Sequence, residues 1–190
     1  ENVAQKDGLT RLEQDEFALA TQKKWGAAHA AGRFNDELVP VVIPQRKGDP
    51  IVVNQDEHPR PETTMEQLAK LGPAFKKDGT VTAGNSSGIN DGAAAVLLME
   101  ALTAERLGYK PLARVVSSAV VGVDPSYMGL GPIPATQKAL KRAGMPFAHL
   151  DDIELHEAFA ATCLSIFKVG KEKFKQNWQE KYDRKQVNPH

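Results

Sequence analysis

The 190 residues contain a single cysteine, Cys163, which excludes an internal disulfide framework and a zinc site built from cysteines. Net charge is missing too. The 24 Lys and Arg balance the 24 Asp and Glu, so overall electrostatics give no argument for nucleic acid or an anionic membrane surface. Hydrophobic runs are short: the longest, Ala93 to Met99, has seven residues, against the roughly 20 that span a bilayer. No signal or transit peptide is recognisable, and Glu1 reads as the interior of a longer chain. Internal repeats and low-complexity tracts are also lacking. What remains, 41% hydrophobic and 25% charged residues, is an ordinary globular composition for one domain or two small ones.

The chain is organised around Lys76 to Met99. Its first half gathers Gly84, Asn85, Ser86, Ser87, Gly88, Asn90 and Asp91, residues that permit unusual backbone angles or bond their own backbone. Its second half, Ala93 to Met99, has no polar alternation and predicts a strand covered on both faces. Upstream, Thr10 and Glu13 form a capping box, predicting a helix with Phe17, Ala18, Thr21, Trp25 and Ala28 on one stripe that stops at Gly32. Leu38–Ile43 and Ile51–Val53 predict a hairpin, and Thr63 or Thr64 caps a short helix to about Leu71. Downstream the expectations are a helix over Leu102–Leu107, strands over Ala113–Val123 and Ile153–Leu155, and helices over Pro134–Ala143 and from Glu157 to about Val169. Strands alternating with helices predict a layered α/β fold. Phe167, Phe174, Trp178 and Tyr182 then fall on one face of a further helix whose other faces are charged.

Four constellations could carry chemistry. Ser87 in the glycine-rich loop can donate to a ligand carbonyl or stabilise its own turn; the loop is no P-loop, because Gly-Lys-Ser/Thr does not follow it. His156, in His156-Glu157-Ala158-Phe159, is expected where a strand meets a helix N-terminus, able to hold a water, donate to an oxyanion or cap the helix. Cys163 lies inside an apolar helix and reads as a small hydrophobe rather than a nucleophile. Arg60 either makes a weak surface pair or binds a phosphate.

The stretches TAGNSSGINDGAAAVLL (82–98), MGLGPIPA (128–135), HEAFAA (156–161) and ENVA (1–4) resemble the thiolase superfamily, which makes and breaks the carbon–carbon bond of 3-ketoacyl thioesters of coenzyme A. The resemblance implies a layered α-β-α-β-α thiolase fold, here a partial subunit. Residues 1–82 would be a loop domain of helices and a small hairpin, 83–109 the last strand and helix of the first core domain, and 110–190 the opening of the second, with a basic-aromatic insertion at 168–185. It places Ser87, Ala83 and Phe75 on the pantetheine arm of CoA and Arg60 on its phosphates. Met128 becomes a wall of the acyl pocket, Phe159 a further CoA contact, and His156 part of an oxyanion hole. The histidine in HEAF is most similar to degradative thiolases of trifunctional fatty-acid oxidation complexes. The thiolase nucleophilic cysteine, the Gly-His-Pro motif and the Cys-x-Gly turn do not occur, as if this were the middle half of a subunit.

The function implied is thiolysis of 3-ketoacyl-CoA in fatty-acid β-oxidation, with CoA as substrate, no tightly bound cofactor and no metal. The alternatives are a biosynthetic acetoacetyl-CoA thiolase and a non-catalytic CoA- or acyl-binding scaffold. The expected assembly is a homodimer or tetramer beside a β-oxidation partner subunit, with no nucleic acid; the aromatic-basic helix packs on its own subunit, on a partner or on a membrane surface, a protein contact being favoured. The expected compartment is mitochondrial, with peroxisome and cytoplasm as alternatives.

Overall fold

The computed structural model describes residues 1–188; Pro189 and His190 lie outside. Helix α1 (Asn2–Asp7), which no sequence signal announced, ends at Gly8 in the left-handed conformation. Helix α2 (Arg11–Ala30) starts at the expected capping box: the Thr10 side chain accepts from the Glu13 amide while Glu13 reaches back to Thr10. Strands β1 (Val41–Ile43) and β2 (Ile51–Val53) pair antiparallel with Val42 opposite Val52, and β1 begins just after Pro40, which has no amide to offer a ladder. Thr64 caps α3 (Met65–Ala69). Helix α4 (Ala101–Arg106) stops before Gly108, at φ 73°. After it come a 3-10 turn (Pro125–Leu130), α5 (Pro132–Ala143), α6 (Ala160–Phe174) and α7 (Trp178–Asp183).

The core is built around α6. Cys163, Ile166 and Phe167 point into it, and Phe17 of α2, Ile133 of α5, Trp178 of α7, Leu155 and Val187 close over them. Phe17 meets Phe167 edge-on at 6.2 Å between ring centroids, and Tyr182 lies tilted against both.

Three expectations are corrected. Ala93–Met99 and Ala113–Val123 are not strands among the described residues: neither joins a ladder, and Leu97 is 75% exposed. Apolar sequence can extend a backbone, but a strand exists only when a neighbour takes its amides and carbonyls. The second run is met by α5 instead of a strand: Lys138 donates to Val120 O at 2.9 Å, Arg142 to Ser118 O at 2.6 Å, and Ser117 Oγ to Ala139 O at 2.7 Å. Ile153–Leu155 likewise makes a single parallel bridge, Ile153 with Val187. Third, the aromatic tail is not one helix. Lys175 adopts φ 55° and ends α6, and Asn177 caps α7 through the Glu180 amide. The turn folds Trp178 back over Gly170 and tilts it on Phe147 at 5.1 Å. Phe167 and Trp178 are therefore buried by their own chain and unavailable to a partner or a membrane. No helix among the described residues is long and apolar enough to cross a membrane.

Candidate active site

The polar loop 80–87 is held from inside and from outside. Inside, Asn85 Oδ1 accepts from the Thr82 amide at 2.9 Å and Nδ2 donates to Thr80 O at 3.1 Å, while Ser86 Oγ donates to Thr82 O at 2.7 Å. Ser86, not Ser87, thus performs the turn-stabilising role open to a serine here. Outside, the Glu1 carboxylate accepts from the Thr80 and Val81 amides at 3.1 and 2.9 Å. Asn85 Nδ2 also donates to Asp15 Oδ1 at 2.9 Å, and Arg11 Nε pairs with Asp15 Oδ2 at 2.7 Å. Gly84 is required for space: a Cβ there would drive into Leu68 Cδ2 and Leu71 Cδ1.

This loop is zipped to the segment before α6. The Ser87 amide donates to Ala158 O at 2.9 Å and the Ala160 amide to Asn85 O at 3.0 Å, framing an antiparallel bridge between Ser86 and Phe159. Phe159 is extended, at φ −145° and ψ 139°. Helix α6 accordingly begins at Ala160 rather than Glu157, so His156 sits on extended backbone before the helix and not at its N-terminus, as the sequence suggested. Phe75 meets Phe159 edge-on at 6.1 Å. Ser87, Phe75, Phe159 and His156 are thereby joined in one unit from three parts of the chain. Among the described residues the Ser87 hydroxyl makes no hydrogen bond, and both it and Phe75, 68% exposed, face outward.

His156 is exposed, but its flanks are fixed. The Asn188 amide bonds both the N–H and the C=O of Leu155 at 2.8 Å, and its Nδ2 also donates to Glu157 Oε1 at 2.8 Å. The Thr21 hydroxyl donates to Glu157 Oε2 at 2.7 Å. Ala83 is exposed at the turn of the same loop. Arg60 stands apart: its Nη1 donates to the carbonyls of Glu57, His58 and Pro59 at 2.7, 3.1 and 3.1 Å, and the His58 ring of its segment lies beside Gly88, just past the loop. Met128 is exposed, and the neighbouring Gly129 lies against Thr162 in the first turn of α6.

Cys163 is buried with its Sγ 4.0 Å from His156 O. Burial first, and the nearby Glu157 carboxylate second, push its thiol up to about 12. It therefore remains protonated near neutrality and cannot act as a thiolate nucleophile. No group of three or more His, Cys, Asp or Glu among the described residues could hold a metal ion. Asp15 and Asn188 were not singled out from the sequence, and Thr21 and Glu1 entered only as part of the α2 stripe and of ENVA. The one available signal was the i,i+4 spacing of Arg11 and Asp15, which reads as a surface pair.

Residues 1–102 match the family model described as thiolase, N-terminal domain, and residues 109–182 the one described as thiolase, C-terminal domain. The chain belongs to the thiolase family. It is 59% identical over 166 residues to an acetyl-CoA acetyltransferase of Allochromatium vinosum, covering 87% of this chain and 42% of that one. An acetyl-CoA acetyltransferase from Bacillus anthracis superposes with a TM-score of 0.86 at 43% identity over 98% of this chain and 45% of its own. The human mitochondrial 3-ketoacyl-CoA thiolase in complex with CoA gives 0.83 at 43% identity over 98% and 44%. The thiolase chain therefore spans less than half the length of these relatives. Its fold is the layered α/β thiolase fold, present in part.

Proposed function

We propose that this chain forms the CoA-binding and oxyanion-stabilising part of a thiolase that cleaves 3-ketoacyl-CoA with a second CoA. The observation that carries the reading is the pairing of loop 80–87 with segment 156–160, which sets Ser87 beside Ala158 and Phe159, with Phe75 edge-on to Phe159 and His156 just before it in the chain. In this reading Phe75, Ala83 and Phe159 line the pantetheine arm and the Ser87 hydroxyl donates to one of its amides. Arg60 meets the phosphates and Met128 the acyl chain. His156 donates to the thioester oxygen as charge develops on it, where a fixed donor is most effective. CoA is a substrate, and the mechanism uses no metal or tightly bound cofactor. The nucleophile and its acid/base partner come from outside these 190 residues, Cys163 being buried and protonated.

The same resemblance supports the division into a loop domain (1–82), the end of one core domain (83–109) and the opening of another (110–190), assembled as a homodimer or tetramer. The HEAF motif and the human mitochondrial neighbour support the fatty-acid-degrading direction and a mitochondrial compartment. A second reading, acetoacetyl-CoA as substrate, is favoured by the names of the bacterial relatives, which are acetyl-CoA acetyltransferases.

The test is a chimera in which this chain replaces the matching segment of the Allochromatium vinosum enzyme, assayed with acetoacetyl-CoA and with longer 3-ketoacyl-CoA. Preference for the longer substrate supports the first reading and preference for acetoacetyl-CoA the second. His156→Ala is expected to lower kcat by roughly 10²–10³ with little change in KM, the signature of a donor used in the transition state. Unchanged kcat with a raised KM would make His156 a binding residue. The isolated chain is expected to show no thiolysis; turnover abolished by Cys163→Ala overturns that expectation.

A further inference from the structure

We propose that Asp15 of α2 is a positioning residue for CoA binding: through Asn85 it fixes loop 80–87 in the shape that pairs with segment 156–160. The proposal rests on the CoA-binding reading of that loop.

Asp15 is 2% exposed and Asn85 3%. A buried carboxylate is costly unless its charge is paired and its lone pairs are used, and here both conditions hold. Arg11 Nε sits on one oxygen at 2.7 Å and Asn85 Nδ2 on the other at 2.9 Å. Arg11 itself is anchored by donating Nη2 to Leu68 O and Leu71 O at 2.6 and 3.0 Å. Buried beside it on α2 are the polar Gln14 and the apolar Phe17 and Ala28. Gln14 and Asp15 both bond to the loop, and a need to orient the Asn85 amide accounts for the acid at 15.

The amide has one workable orientation. With Oδ1 toward the Thr82 N–H and Nδ2 toward Asp15 and Thr80 O, every donor faces an acceptor. Turned over, its NH₂ would face an N–H and its oxygen a carboxylate and a carbonyl. The carboxylate therefore dictates how Asn85 points, and Asn85 dictates the course of residues 80–85. From that course follow the two hydrogen bonds to the site, Ala160 N–H to Asn85 O and Ser87 N–H to Ala158 O. Gln14 adds a parallel tether, Nε2 donating to Thr80 Oγ1 at 2.9 Å.

Asp15→Asn keeps shape and volume but offers one oxygen and one NH₂, so either Arg11 or Asn85 faces a donor. Asn85→Asp keeps the acceptor for Thr82 and sets a carboxylate against Asp15; it serves as the second variant if Asp15→Asn does not fold. The experiment measures amide hydrogen exchange and calorimetric CoA binding on the chain and both variants, at a temperature where circular dichroism shows the helices intact. Exchange of the Ser87 and Ala160 amides is expected to rise at least about tenfold while the Ile166 and Phe167 amides of α6 stay protected, and the CoA Kd to rise about tenfold. Wild-type exchange at Ser87 and Ala160 overturns the tether. Faster exchange there with an unchanged Kd overturns the positioning role alone. Equal acceleration throughout α6 with an unchanged Kd makes Asp15 merely structural. A wild-type chain that does not bind CoA overturns the functional reading and this role together.

Discussion

Loop 80–87 and the run 93–99 are near neighbours in the chain and opposite in outcome. The loop is mostly polar, a composition associated with mobility, yet it is bonded to Glu1, to Asp15 and to segment 156–160. The run is seven apolar residues, a composition associated with a core, yet Val96, Leu97 and Leu98 lie open. The difference is the source of hydrogen-bond partners. Asn85, Ser86 and Thr82 carry partners in their own side chains and meet others folded within reach. An apolar strand has only its backbone to offer and depends wholly on a neighbouring strand. Hydrophobicity supplies the stabilisation of a sheet but not its pairing.

The sharpest way to break this contrast is to attack an apolar site that the structure shows covered. Trp178→Ala removes a 2% exposed ring seated on Gly170 and Phe147 and is expected to cost about 3–5 kcal/mol, read as a fall in the urea midpoint. A loss below about 1 kcal/mol would show that the α6–α7 core is no better covered than run 93–99. Smaller in effect is Thr10→Ala, which removes the hydroxyl that accepts from the Glu13 amide while leaving the Thr10 N–H to the Glu13 carboxylate, and is expected to cost about 1 kcal/mol.

That box also carries a pH dependence. The Thr10 backbone N–H first, and its hydroxyl second, hold the Glu13 carboxyl below its ordinary value of 4.5. With a depressed folded pKa, the stabilisation is complete above 4.5 and lost as pH falls through the lower folded value. Thr10→Ala keeps the N–H and deletes only the hydroxyl's share, so its cost should shrink in acid, modestly, because Glu13 is exposed and screened by solvent. A cost independent of pH would mean that the hydroxyl's bond to the carboxylate contributes nothing. Least of all, Leu97→Ser is expected to change stability by under about 0.5 kcal/mol while lowering the tendency to aggregate. A larger loss in the urea midpoint would place Leu97 in a core.

Local signals read well because they act within a turn or two. The capping box at Thr10, the stop at Gly108 and the hairpin over 41–53 stand where the sequence put them, and of the two caps it offered, Thr63 or Thr64, the structure uses Thr64. Motifs also led to Ser87, Phe159 and His156, which the fold brings together. Asp15 was not legible as a partner of the loop, because Asn85 lies 70 residues away and an acid on a helix ordinarily faces water. The break at Lys175 was hidden by an unbroken heptad-like spacing of aromatics. It follows from Trp178 folding back over Gly170, a contact that spacing cannot encode.

Local sequence was enough for the caps at Thr10 and Thr64, the glycine stop at Gly108 and the motifs that mark the family, since these are properties of a few adjacent residues. Which apolar segments are covered, that α2 reaches the loop through Asp15, and that Trp178 closes on the core of its own chain emerge only in the folded molecule. Each of these depends on groups distant in the chain meeting at hydrogen-bond or van der Waals range, and burial and pairing exist only once the chain has folded.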